Sequence, residues 1–214
     1  MQVVTVSATY GAAGNTIGPA VAERLGLPFV DRAIPAAVAA EIGCTLEEVL
    51  ARDDRAETGL GRLLANAARL PNVTLGGMDV YLPDPEHRIV QEEEFVAHTE
   101  QVIRDIAQRE GAVVLGRAGF VVLADHPGAL HVRLDGPKAR RVARVAETNG
   151  WDEARAAREL ADNDRARQAY AKYFYRVDPA SPHLYHLVLD STSFPVETCI
   201  DLIVRAAESR RTAG

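Results

Sequence analysis

The sequence predicts an α/β protein: a five-stranded parallel sheet with helices on both faces. Five short apolar runs carry that expectation: VVTVS (Val3–Ser7), LPFVD (Leu27–Asp31), AVVLG (Ala112–Gly116), LHVRLD (Leu130–Asp135) and HLVLDST (His186–Thr192). They are continuously apolar rather than alternating, so both faces of each strand are buried, and stretches of helical periodicity separate them. At 214 residues and 47% hydrophobic, the chain has enough apolar surface for one packed domain, 1–214.

The elements follow in order. Val3–Ser7 runs through a turn holding Gly11 and Gly14 into NTIGPAVAERLG, whose apolar residues recur at helical spacing. After Leu27–Asp31 the strand pattern is absent for about eighty residues. Ala33–Ile42, Thr45–Arg52 and Gly59–Leu70 read as helices, Thr45 with Glu48 forming a capping box, and Pro71–Glu86 reads as a loop. Glu92–Glu110 is a longer amphipathic helix feeding the third strand. The fourth strand precedes helices over Pro137–Asn149 and Asp152–Tyr175. Pro195–Arg210 closes the chain as a helix, with Pro195 in its first turn.

A strand, a glycine turn and a helix N-terminus bring backbone N–H groups to one point, where the helix dipole adds positive potential. That geometry suits phosphate, and two turns of the kind fit in part. Aligned on Gly14, TYGAAGNT compares with the triphosphate turn GxxxxGK[ST], with Asn15 at the lysine and Thr16 at the Mg²⁺-ligating hydroxyl. Gly11, Gly14 and Gly18 compare instead with the dinucleotide turn, Asp31 then standing where a ribose-binding acid belongs. Against that second version, Ile17 occupies the position of its third glycine, and no YxxxK is present.

Composition narrows the partners. A net charge of −6 excludes a general polyanion-binding surface, so a nucleotide has to be held by a local cationic site and nucleic acid is not expected. Cys44 and Cys199 have no metal-ligand spacing and read as buried apolar side chains of a protein in a reducing compartment. No run is long and apolar enough to span a membrane, and the expected location is the cytoplasm, as monomer or homodimer.

Ligands of parallel sheets sit at the carboxyl ends of the strands. There, Arg117 follows a strand and a glycine, placed to grip a phosphate with its two-pronged guanidinium. Further along, Arg155, Arg158, Arg165, Lys172 and Arg176 recur by threes and fours on one helical face, with Asp162 as the acid among them. Such segregation suits a flap that closes over a polyphosphate, Arg158 contacting substrate; Arg140, Arg141 and Arg144 on the preceding helix are candidates for its opposite wall or for plain solvation.

With these residues in view, the chain resembles the cytidylate-kinase-like family of the P-loop nucleoside-monophosphate kinase fold. The resemblance is carried by the first strand and glycine turn, IGPAVAERLGLPFVD, VVLGRAG, LHVRL with its Arg-rich helix, DRARQAY and LVLDSTSFPVETCIDLI. It implies phosphoryl transfer from ATP, with Mg²⁺, to a (deoxy)nucleoside monophosphate such as CMP. It implies that Gly11, Ala12, Ala13, Gly14, Asn15 and Thr16 hold the ATP phosphates, Thr16 also meeting the metal, and that Asp31, Arg117 and Asp164 face the substrate. Arg165 and Arg167 of the DRAR segment would close as a lid (150–183) and stabilise the transition state, and 33–110 would be the monophosphate-binding insertion. This chain departs from the family at Asn15, where relatives carry lysine or arginine, at Ala8, near which they carry arginine, and at Leu115 and Ala118 around the GR pair. A kinase-fold protein that binds a nucleotide or a protein without transferring phosphate is the alternative, and an NAD(P)-binding reductase a lesser one.

Overall fold

The computed structural model describes residues 1–30 and 92–212. Residues 1–31 and 103–214 form one compact unit and 32–102 a second. The first unit is described below. The helices expected over 33–42, 45–52 and 59–70, the loop over 71–86, Asp31 and Cys44 lie outside the described residues.

Numbered within the described residues, the elements are β1 (Val3–Ala8), α1 (Gly14–Leu25), β2 (Phe29–Val30), α2 (Glu92–Arg109), β3 (Ala112–Leu115), α3 (Gly119–Val122), β4 (Leu130–Asp135), α4 (Lys138–Asn149), α5 (Glu153–Tyr175), β5 (Leu187–Asp190) and α6 (Val196–Thr212). A 3₁₀ turn spans Pro182–Leu184. The five strands form one sheet in the order β2-β3-β1-β4-β5. Every pairing in it is parallel, as the continuous apolar runs require.

Alternation along the central strands sends side chains to two buried faces, whereas the edge strand β5 leaves Val188 exposed, so the expected burial of both faces fails there. Val4, Val6, Val113, Leu115, Leu130, Val132 and Leu134 point to the face covered by α1 and α6, where Ile17, Val21, Ile200 and Ile203 complete one core. Val3, Thr5, Ala112 and Val114 point to the other face and are just as buried. There α3 lies close against the sheet, because a Cβ on Gly119 would come within 3.2 Å of Val114 and 3.6 Å of Thr5. Helices therefore cover both faces.

The short elements have local causes. β2 starts at Phe29 because Pro28 cannot donate to the ladder, although its carbonyl accepts from Val113 N–H at 2.9 Å. α1 ends at Gly26 in the left-handed conformation, with Leu27 N–H donating back to Ala22 O at 2.9 Å. Gly150 ends α4 in the same way, and two residues later Asp152 caps α5 by accepting from Arg155 N–H at 2.7 Å. α5 is continuous over 23 residues. The strand order also settles one alternative. In the dinucleotide fold the second strand adjoins the first, whereas here β3 separates them, so the reductase reading does not survive.

Candidate anion-binding site at the β1–α1 turn

β1 has β3 on one side and β4 on the other; the connection from β1 runs to β2 on the first side and the connection from β3 crosses to β4 on the second, so a crevice opens beyond the carboxyl end of β1. The Thr9–Ala13 turn occupies that crevice. Gly11 adopts φ 81° and Ala13 φ 58°, both left-handed. At Gly14 there is no room for a side chain, since a Cβ would lie 2.6 Å from that of Ala8.

Hydrogen bonding makes this turn one-sided. Ala8 O accepts from the Arg167 guanidinium, and Thr9 O accepts from Ala12 N–H at 3.1 Å. Tyr10 O accepts from Arg141 Nη1 at 2.9 Å, and Gly11 O from Arg144 Nη1 at 3.4 Å. Ala12 O accepts from Ser191 Oγ at 2.8 Å, and Ala13 O from Thr16 and Ile17 N–H at 3.0 and 2.9 Å. Every carbonyl from Ala8 to Ala13 is thus engaged, while the N–H groups of Gly11, Ala13 and Gly14 donate to no acceptor among the described residues. The 12-residue helix α1 starts at this point and directs its positive end there. Main-chain donors without acceptors beside a helix N-terminus are groups that can hold an anion.

Two carboxylates support the walls. Asp135, at the end of β4, accepts from Thr9 Oγ1 at 3.0 Å and Gly136 N–H at 2.9 Å with one oxygen, and from Arg133 Nη2 at 2.8 Å with the other. Burial pushes its pKa up, but the Gly136 N–H and the Arg133 guanidinium outweigh it and the net shift is downward. Asp190, at the end of β5, accepts from Ser193 Oγ at 2.6 Å and Thr192 Oγ1 at 2.5 Å. Those hydroxyls hold its pKa down to about 2. Both acids are ionised and occupied, so they shape the crevice and are not spare metal ligands. Among the described residues no three His, Cys, Asp or Glu side chains gather as a metal site.

The expected site residues are found in three settings. Gly11, Ala12, Ala13, Gly14, Asn15 and Thr16 form the turn and the start of α1, with Asn15 and Thr16 exposed. Arg117 stands in the crevice-side loop after β3, in a left-handed run with Gly116 at φ 78°, itself at 54° and Ala118 at 49°. Strain in successive non-glycine residues marks a loop whose shape is held by its surroundings. Arg158 and Arg165 are exposed, Arg165 pairing with Asp162 on its own helix at 3.3 Å, and neither bonds to the turn. The rest of the cationic stripe also faces outward, with Arg155 stacked over Trp151 at 4.3 Å.

What reaches the turn comes from the opposite face of α5. Ala156, Leu160 and Ala171 are buried at 0%, 1% and 3% exposure, and Asp164 and Arg167 share their register. Arg141 is no solvated residue either: it is 7% exposed and bonded to Gly136 O at 2.8 Å as well as to the turn. Polar residues in register with alanine and leucine on α5 were the available signal, and a search for segregated charge passes over it.

Half of the chain, 106 residues, is 39% identical to part of a uronate isomerase of Corynebacterium glutamicum, covering 20% of that protein. A cytidylate kinase of Aeropyrum pernix is 28% identical over 106 residues, 50% of this chain and 61% of its own length. The chain thus spans between a fifth and about three-fifths of these curated relatives. Among solved structures, an uncharacterized protein from Eubacterium ventriosum superposes with a TM-score of 0.66 at 18% identity, over 98% of this chain and 99% of the other. The shikimate kinase of Bacteroides thetaiotaomicron does so with a TM-score of 0.50 at 12% identity, over 98% of each. These likenesses speak to the fold: a parallel sheet of the P-loop kinase type. Residues 3–193, a stretch that includes the turn and all five strands, match the model of the cytidylate kinase-like family, and the chain belongs to that family.

Proposed function

We propose that this chain binds ATP with Mg²⁺ at the β1–α1 turn and transfers a phosphoryl group to a small acceptor, a (deoxy)nucleoside monophosphate such as CMP. One observation carries the reading: a turn whose carbonyls are all engaged and whose Gly11, Ala13 and Gly14 amides are left as donors. ATP supplies the transferable phosphoryl group, and Mg²⁺ neutralises charge on its phosphates. The chain's own part is positioning. The three amides orient the phosphates, Thr16 offers a hydroxyl at the first turn of α1, and Arg117 faces the acceptor. Arg167, which already bonds to Ala8 O, is the lid arginine closest to the reacting groups in this reading. The Arg144 guanidinium, which pairs with main-chain oxygens and no carboxylate among the described residues, adds positive potential behind the turn.

Asn15 supports a second reading, nucleotide binding without transfer. A neutral amide cannot offset charge developing on the transferring group, a deficit of about 3 kcal/mol, or about a hundredfold in rate. Calorimetric titration with Mg·ATP tests binding in both readings. Coupled detection of ADP tests transfer, with nucleoside monophosphates and, given the relatives and neighbours named above, shikimate and uronates as acceptors. Transfer to a nucleoside monophosphate is the expected result, and Asn15→Lys should raise turnover by about a hundredfold. Binding without ADP formation in wild type and Asn15→Lys alike selects the second reading, and an absence of binding overturns both.

A further inference from the structure

Asp164 and Arg141 bond to each other, and both bond to the backbone of Tyr10. Tyr10 N–H donates to Asp164 Oδ1 at 2.8 Å, and Tyr10 O accepts from Arg141 Nη1 at 2.9 Å. The two side chains close the ring through Arg141 Nη1 and Asp164 Oδ2 at 2.6 Å, and Arg141 Nε is anchored on Gly136 O at 2.8 Å. The N–H and the C=O of Tyr10, which belong to the two peptide units on either side of its Cα, are thereby gripped by one ion pair, Arg141 from α4 and Asp164 from α5, with side-chain exposures of 9% and 25%.

This grip sits directly before Gly11, the residue at which the turn becomes left-handed. Rotation of the Tyr10–Gly11 peptide would turn the Tyr10 carbonyl and the Gly11 N–H together, exchanging a donor of the turn for an acceptor, and the two bonds to Tyr10 resist that rotation from both sides of its Cα. A partly buried ion pair is costly to desolvate and is poor evidence of a stability role, but it is a stiff, directional clamp. Each oxygen of Asp164 is engaged, Oδ1 by the Tyr10 amide and Oδ2 by Arg141.

We infer that Arg141 and Asp164 act as one positioning unit, a clamp on Tyr10 that holds the turn in its polyphosphate-binding form and makes that form depend on α5 being docked. The inference rests on the polyphosphate reading above and gives Asp164 a different task from substrate contact. The experiment is calorimetric titration of Mg·ATP into wild type, Asp164→Asn, Arg141→Gln, Arg141→Lys and the Asp164→Asn/Arg141→Gln double variant, each well below its own melting temperature, with melting recorded in parallel. Asp164→Asn and Arg141→Gln should each weaken binding at least about fivefold while the protein stays folded, and the double variant should be no weaker than the worse single one. Arg141→Lys keeps the charge without the two-pronged geometry and should also fall. A role in stability alone would lower the melting temperature and leave affinity intact. Losses below fivefold, or losses that add in the double variant, overturn the clamp while the nucleotide reading stands. Absence of binding in wild type overturns the nucleotide reading, and the clamp with it.

Discussion

Gly14 occupies a point where a methyl group has no place. Its missing Cβ lets α1 begin against Ala8, and its amide, like those of Gly11 and Ala13, donates to no acceptor among the described residues. Gly14→Ala is therefore expected to lower stability by about 1–3 kcal/mol, measured by urea unfolding, and to remove the heat of Mg·ATP binding even where the variant is folded. The glycines of this turn were legible in the sequence because a strand before them and helical spacing after them leave few other uses. The outward pairing of the carbonyls was not. Tyr10 and Arg141 are 131 positions apart and Ala12 and Ser191 are 179 apart, and no local pattern encodes such a contact.

At the scale of one element, α5 shows what periodicity reveals and what it hides. Its length and its start at Asp152 follow from spacing and capping. Which of its faces turns inward is decided by the small and apolar residues Ala156, Leu160 and Ala171, and the conspicuous row of arginines lies away from them. Charge segregation therefore marks the solvated side, and Asp164 and Arg167 are indicated by the family resemblance rather than by pattern. The end of α5 has its own signature. Arg176 closes it at φ 58°, its N–H donating to Lys172 O at 3.2 Å, a position where a side chain is strained and glycine is not. Because Arg176 is exposed and away from the turn, Arg176→Gly is expected to stabilise the protein by about 0.5–1 kcal/mol, seen as a rise in thermal midpoint by circular dichroism.

At the scale of the molecule, the sheet has a weak point on the side away from the turn. His131, 5% exposed in the middle of the sheet, shares a hydrogen bond of 2.8 Å with Thr5 Oγ1 and stacks on His186 at 5.0 Å. Its backbone N–H donates to His186 Nδ1 at 2.9 Å. Burial first, and then the charges of His186, Arg210 and His126, lower its pKa from 6.5 to about 4. A histidine depressed in the folded state is held neutral there, so its contribution is complete above pH 6.5 and is lost as pH falls toward 4. The loss should reach at most about 3 kcal/mol, and His131→Gln should flatten the pH dependence of urea midpoints across that window. Strand identities were readable because each run is apolar throughout. Their order was not, since a strand's composition does not name its neighbour, and it was the insertion of β3 between β1 and β2 that separated a kinase-type sheet from a dinucleotide-type one.

The carbonyls of the turn are held by groups contributed from Arg141, Arg144, Arg167 and Ser191, far toward the other terminus. During synthesis the ribosome therefore releases the glycine segment long before the atoms that shape it exist. An N-terminal fragment ending ahead of α4 carries the whole recognisable motif without the side chains that hold four of its six carbonyls, so the crevice can be completed only once α4, α5 and the segment after β5 have been made.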